Sequence, residues 1–136
     1  MLEYIDLIEQ TFEFPTEEFR VENNELLFNG VPLMPIIQQY GTPLKLSYLP
    51  KISQHIQKAK SLFQKAFEKY NYTGKYTYCY CTKSSHFRFV LEEALKNDIH
   101  IETSSAYDIP IIMELHKRGL VNKDTYILCN GYKRPL

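Results

Sequence analysis

From residue 40 onward the chain alternates between two hydrophobic periods, and this alternation limits its fold more than any other feature of the sequence. Thr42-Pro43-Leu44-Lys45-Leu46-Ser47-Tyr48 reads as a short strand. Pro50 opens a helix, where its missing N–H costs nothing. Ile52, Ile56, Ala59, Leu62, Phe63, Ala66, Phe67 and Tyr70 share one face of that helix, and residues Asn71 to Gly74 end it. Lys75 to Thr82 is a tyrosine-rich strand. Phe87, Val90, Leu91, Ala94 and Leu95, spaced by threes and fours, predict a second helix. Asp98 to Thr103 is a third strand. A third helix starts after Ser104-Ser105, or at Asp108, and closes at Gly119. Asp124 to Cys129 is a fourth strand. Strands separated by helices imply parallel βα units, so the expected class is α/β. Four such units make the first half of a (β/α)8 TIM-type barrel or one side of a doubly wound sheet. A complete barrel takes about 250 residues, and this chain has 136. No G-x-G-x-x-G follows any strand, so a dinucleotide site has no support.

The first segment, residues 1–38, follows a different pattern. Ile5, Leu7, Ile8 and Phe12 have helical spacing over Leu2 to Phe12. After Pro15 come the runs Phe19 to Glu22 and Glu25 to Phe28, then Asn29-Gly30 and Val31-Pro32-Leu33. Asn-Gly between apolar runs is a strong hairpin signal, so two short strands are expected around it, with Pro32 holding the second to an edge. The expected organisation is a helix and hairpin over residues 1–38 and barrel-type units over 39–136.

Charge and composition exclude several functions. Lys plus Arg (16) equals Asp plus Glu (16), so the chain as a whole is not a general polyanion binder. Eight acids lie within residues 1–25 and seven lysines within 45–75. The lysine stretch reads as a solvated helix face, because no nucleic-acid motif accompanies it. No apolar run reaches the roughly 18 residues of a membrane span, and Met1 to Asp6 is not the start of a secretory signal. Three cysteines, an odd number, do not form a disulfide framework and suit a reducing cytoplasm. Cys79-Tyr80-Cys81 lacks the spacing and the further ligands of a zinc knuckle, so its cysteines read as small strand residues and no metal site is expected.

Strand residues alternate faces. Tyr76, Tyr78 and Tyr80 take one side of their strand, the side suited to the helices. Thr77, Cys79, Cys81 and Lys83 take the other. Lys83 therefore falls at the carboxyl end of a parallel strand, where such folds carry their chemistry. Burial among apolar neighbours would favour its neutral amine, the form that attacks an aldehyde to make an imine.

Tyr80-Cys81-Thr82-Lys83-Ser84-Ser85 resembles the aromatic-x-x-Lys-x-Asn motif of fold-type III pyridoxal-phosphate decarboxylases. Val90 to Leu95 looks like that family's next helix, and His100-Ile101-Glu102-Thr103-Ser104-Ser105-Ala106 its next strand and turn. Cys129-Asn130-Gly131-Tyr132-Lys133 is similar to an element of the biosynthetic arginine decarboxylases. Tyr40-Gly41-Thr42-Pro43-Leu44 is similar to the family's entry into its barrel. The resemblance covers about residues 19–136. Ser85 stands where the family usually has asparagine, and Thr82 where it usually has valine. The resemblance implies an alanine-racemase-like, pyridoxal-phosphate-binding barrel whose first strands belong with a C-terminal β domain. It implies that the chain is the N-terminal part of a longer enzyme, homo-oligomeric in its full-length form, and inactive without the rest. The implied reaction is decarboxylation of L-arginine to agmatine and CO2, a step toward polyamines. The implied cofactor is pyridoxal 5'-phosphate, with Mg2+ accompanying it. Lys83 would be the catalytic lysine that holds the cofactor, with Glu102 and Ser85 beside it. His86, His55 and His116 read as helix or surface residues. The alternatives are another fold-type III decarboxylase, acting on diaminopimelate, ornithine or carboxynorspermidine, a non-catalytic relative, or a barrel fragment without activity of its own.

Overall fold

A computed structural model describes residues 18–131. The helical pattern read over Leu2 to Phe12 and the residues Tyr132 and Lys133 lie outside them. The chain divides into two compact units at Ser47 and Tyr48.

In the first unit, β1 (Phe19–Glu22), β2 (Glu25–Phe28) and β3 (Val31–Pro32) form an antiparallel meander in that order. The turn at Asn29-Gly30 is where the sequence puts it, with both residues at positive φ. A second tight turn, at Asn23-Asn24, also has both residues at positive φ. Asparagine tolerates that conformation because its short polar side chain bonds locally. Phe19 and Phe28, paired across β1 and β2, pack ring to ring at 4.9 Å.

Helix α1 (Leu33–Tyr40) follows directly, where the sequence reading has only irregular chain. Leu33, Ile36, Ile37 and Tyr40 carry its i, i+3, i+4, i+7 period. Pro35 is compatible because it falls in the first turn, where backbone N–H groups have no intrahelical acceptor. The strand expected over Thr42 to Tyr48 is not formed. Leu44 and Leu46 instead line an apolar cavity of about 330 Å³ with Phe19, Phe28, Leu33 and Ile37. Leu44 and Leu46 are still largely exposed, and Pro43 has no N–H to give a ladder.

The second unit contains α2 (Pro50–Tyr70), β4 (Cys79–Cys81), α3 (Arg88–Leu95), β5 (His100–Thr103), a 3-10 turn (Ala106–Asp108), α4 (Ile109–Lys117) and β6 (Ile127–Cys129). Its sheet is parallel, in the order β4-β5-β6. The expected βα alternation is present with three parallel strands rather than four, so a mixed α/β architecture is established for this unit.

The strands are shorter than their hydrophobic runs, for two local reasons. Cys79 pairs with His100, so Tyr76 to Tyr78 would face residues 97–99, where Asp98 turns the chain at positive φ. Tyr76 is held instead by its ring, stacked on Phe63 of α2 at 4.0 Å. At β6, Asn122 starts a side-chain turn: its Oδ1 accepts from the Asp124 N–H (2.8 Å) and its carbonyl from the Thr125 N–H (3.1 Å). That turn uses up the first residues of the expected strand.

Two apolar clusters form the core. Leu91, Ile101, Leu115 and Val121 join α3, β5 and α4, while Ile56, Ala94 and Ile99 join α2, α3 and the approach to β5. Tyr80 and Leu95 pack against both. Helix α3 thus turns Leu91 toward one cluster and Ala94, three residues on, toward the other.

A polar seam runs beside the second cluster. The Asn97 side-chain amide donates to Ser53 Oγ (2.8 Å) and to the Glu93 and Ala94 carbonyls, and its oxygen accepts from Gln57 (3.0 Å). Lys60 Nζ donates to the Asn97 and Asp98 carbonyls (2.8 and 2.7 Å). Ser53, Gln57 and Lys60 fall on one face of α2, and together they satisfy the carbonyl end of α3, where a cation is also favoured by the helix dipole. Asn97 is buried, so Asn97→Ala removes the acceptor of the Gln57 amide and one bond each to Ser53 Oγ and to the Glu93 and Ala94 carbonyls. A loss of about 2 kcal/mol is expected in urea unfolding, against a smaller loss for Lys96→Ala, whose own side chain is exposed.

Glu93 accepts from Lys96 and Ser53, at 2.6 Å each, which holds its carboxyl below the ordinary 4.5. Arg88 and Arg118 do the same for Glu92. A carboxyl whose folded pKa is depressed gives stability that is complete above its unfolded value and lost as the pH falls through the folded one. Urea midpoints should therefore drop as the pH falls below the ordinary carboxyl value of 4.5, and Glu93→Gln should flatten that drop. An unchanged slope would show that the contact has no effect in solution.

Candidate functional site

The carboxyl ends of β4, β5 and β6 are joined by hydrogen bonds that converge on Glu102. Ile101 and Thr103 of β5 are buried, which puts His100 and Glu102 on the opposite face. The parallel register sets Cys79 beside His100, and Cys81 and Leu128 beside Glu102. The Glu102 carbonyl accepts from both the Thr82 N–H (3.0 Å) and the Thr82 hydroxyl (3.2 Å). The Glu102 carboxylate accepts from the Asn130 side-chain amide at 2.7 Å. The Asn130 N–H in turn donates to the Thr103 carbonyl at 2.8 Å.

Lys83 follows Thr82 directly, at the start of the turn that leaves β4. The turn is closed twice. Ser84 N–H and Oγ both donate to the Cys81 carbonyl (3.1 and 2.8 Å), and the Tyr80 hydroxyl donates to the Ser85 carbonyl (3.0 Å). The Lys83 side chain is exposed, so the apolar surroundings expected from the sequence are not provided by the described residues. The described residues form no ion pair with its amine. Ser85 is half-buried and enters the network through its carbonyl.

The faces of β4 are as the alternation predicts. Tyr78 and Tyr80 pack against the helix-side clusters, and Cys79 and Cys81 lie half-buried on the other side. Burial pushes the Cys79 thiol up, and the nearby Glu102 charge adds to the effect. A thiol of that kind is a poor nucleophile. All three cysteines are free.

The sequence reading brings Glu102 and Asn130 to the same strand ends, and the structure joins them directly. It does not foresee the Thr82 hydroxyl or the Tyr80 hydroxyl as parts of this network. The only sign of the first in the sequence is a threonine on the helix-facing side of a strand, and tyrosine at 80 reads simply as bulk. Ser105 and Asp108 form a capping box: Tyr107 N–H donates to Ser105 Oγ, and Asp108 Oδ2 accepts from the Ser104 and Ser105 N–H groups. That motif resolves the two helix starts left open by the sequence, since the turn begins at Ser105 and α4 follows Asp108. His86, His55 and His116 are exposed.

The primary amine of Lys83 lies one residue from the Thr82–Glu102 link, at the carboxyl end of a parallel strand. Such an amine fits covalent capture of an aldehyde cofactor. Among the described residues no group of three or more His, Cys, Asp or Glu side chains gathers as a metal site, and none is assigned to Mg2+. No described helix is long and apolar enough to cross a membrane.

No protein-family model matches the chain. Three curated proteins named biosynthetic arginine decarboxylase do. The one from Parasynechococcus marenigrum is 26% identical over 100 residues, 71% of this chain and 15% of its own length. The one from Prochlorococcus marinus is 26% identical over 95 residues, 67% of this chain and 14% of its own length. The one from Marinobacter nauticus is 27% identical over 111 residues, 76% of this chain and 15% of its own length. The chain is thus similar, over about 70% of its residues, to proteins named biosynthetic arginine decarboxylase, and it spans about 15% of their length.

Proposed function

We propose that the chain is the lysine-bearing part of a pyridoxal-5'-phosphate-dependent decarboxylase that converts L-arginine to agmatine and CO2. The observation that carries this reading is the placement of Lys83. It leaves the carboxyl end of β4 beside Thr82, whose N–H and hydroxyl are fixed to Glu102. The names of the three relatives favour arginine as substrate. The three parallel strands with intervening helices agree with the opening units of a (β/α)8 barrel, which is the fold proposed for the whole protein.

In this reading the cofactor, when bound, takes up the electrons left on the substrate carbon as CO2 departs. Lys83 Nζ is the amine that would carry the cofactor's aldehyde carbon. Its neutral form is the reactive one, and the water exclusion that favours this form has to come from residues outside the described set. Glu102, held by Asn130, keeps a carboxylate at the strand ends where it accepts a hydrogen bond or a proton. Ser85 would contribute through the turn backbone. The family's usual asparagine amide has no counterpart at this position, so fewer polar contacts to the cofactor are expected from this turn.

The test is direct. The protein is incubated with pyridoxal 5'-phosphate, reduced with borohydride and analysed by peptide mass. A pyridoxyl group is expected on Lys83, and Lys83→Ala should lose both the label and the visible absorbance of the bound cofactor. Label confined to other lysines would overturn the assignment. Agmatine release from arginine by the whole protein tests the substrate. Turnover of ornithine or diaminopimelate instead would keep the cofactor reading and replace arginine.

A further inference from the structure

Two side-chain hydroxyls grip the backbone on either side of Lys83, and neither touches the lysine itself. On the upstream side Thr82 is fully buried, at 0% exposure, with its hydroxyl 3.2 Å from the Glu102 carbonyl. The Thr82 N–H reaches the same oxygen at 3.0 Å. On the downstream side the Tyr80 hydroxyl donates to the Ser85 carbonyl at 3.0 Å and lies 3.3 Å from Ser84 Oγ, whose own hydrogen goes to the Cys81 carbonyl. The Tyr80 ring is anchored in both core clusters. Residue 83 is therefore the tip of a loop with one leg tied to the neighbouring strand and the other to the core.

We propose that Thr82 and Tyr80 are positioning residues that fix the Lys83 backbone at the end of β4, and so determine how well its amine captures an aldehyde. The proposal rests on the cofactor reading above and adds to it two hydroxyls whose work is done through the backbone. A buried hydroxyl needs a partner to offset its lost hydration. Thr82 meets that need on the Glu102 carbonyl of the neighbouring strand, and the half-buried Tyr80 ties the Ser85 carbonyl two residues past the lysine. A valine at 82 would fill the same volume without making the second bond to Glu102. Holding a reacting group in place matters because capture depends on the fraction of time the amine occupies a productive position.

The experiment compares the unsubstituted chain with Thr82→Val, Tyr80→Phe and the double variant, with Thr82→Ser as the conservative rescue. Each is exposed to pyridoxal 5'-phosphate and borohydride, and the pyridoxyl yield at Lys83 is divided by the yield at the other lysines. The double variant should lower that ratio roughly five-fold, as expected for the loss of hydrogen bonds of ordinary strength. Thr82→Ser should restore most of the loss due to Thr82→Val. Amide hydrogen exchange at residues 83–85 should accelerate in the double variant by a similar factor, while exchange in α3 and β5 stays unchanged. A Lys83 ratio equal to that of the unsubstituted chain in the double variant would overturn the proposal. If the unsubstituted chain shows no preference for Lys83, the cofactor reading fails and the exchange arm decides alone. Selective loosening of residues 83–85 then upholds the two-sided grip, and unchanged exchange there rejects it. If either single variant unfolds, the other variant and the serine rescue carry the same comparison.

Discussion

The second unit depends on one short strand. Strand β5 has four residues and pairs with both β4 and β6. Because successive side chains point to opposite faces, those four residues divide the work of the domain. Ile101 and Thr103 face the helices and are buried, and Ile101 belongs to the main cluster. His100 and Glu102 face the other way and meet the neighbouring strands. His100 accepts from the Tyr126 N–H through Nδ1 at 3.0 Å and stacks on the Tyr126 ring at 4.4 Å. Glu102 receives Thr82 through its carbonyl and Asn130 through its carboxylate. A shift of one residue in the β5 register would exchange the two sets. The carboxylate would enter the core, and both the packing and the site would be lost together.

The helices hold that register by different means. Helix α3 is fixed on one side by apolar contact, through Leu91 and Ala94. It is also fixed by the polar seam at its C-terminal end, where Asn97 and Lys60 bond carbonyls and the Ser53 side chain. The Ser105–Asp108 capping box closes the 3-10 turn between β5 and α4, and α4 follows it directly. The site is thus bounded by two turns of defined chemistry. One, after β4, is closed by the Ser84 and Tyr80 hydroxyls. The other, after β5, is closed by Ser105 and Asp108.

This arrangement accounts for the exposure of Lys83. The lysine lies in a turn whose backbone is well bonded, and its side chain is open to solvent. What this chain supplies toward the proposed chemistry is position: an amine at a strand end, a carboxylate held by an amide, and main-chain links between them. Desolvation is a separate requirement, met only when apolar atoms surround the amine on all sides.

Much of this was legible in the sequence. The span of α2 follows from its apolar face, from Pro50 at its first position and from Asn71 at its end. The faces of β4 follow from alternating tyrosines and cysteines, and the turn at Asn29-Gly30 from those two residues. The same local rules place Lys83 and Glu102 at strand ends. Tertiary structure decided what depends on a partner distant in the chain. Leu44 and Leu46 look like a strand, but a strand needs a neighbour to bond, and they line a recess with Leu33 and Ile37 instead. Helix α1 has the right period, yet Pro35 obscures it until its first-turn position is known. The Thr82 hydroxyl became a structural bond only because the Glu102 carbonyl, twenty residues later, lies opposite it. Local periodicity records which face of an element is apolar. It carries no information about which distant polar atom will meet a given hydroxyl, and that meeting set the geometry around Lys83.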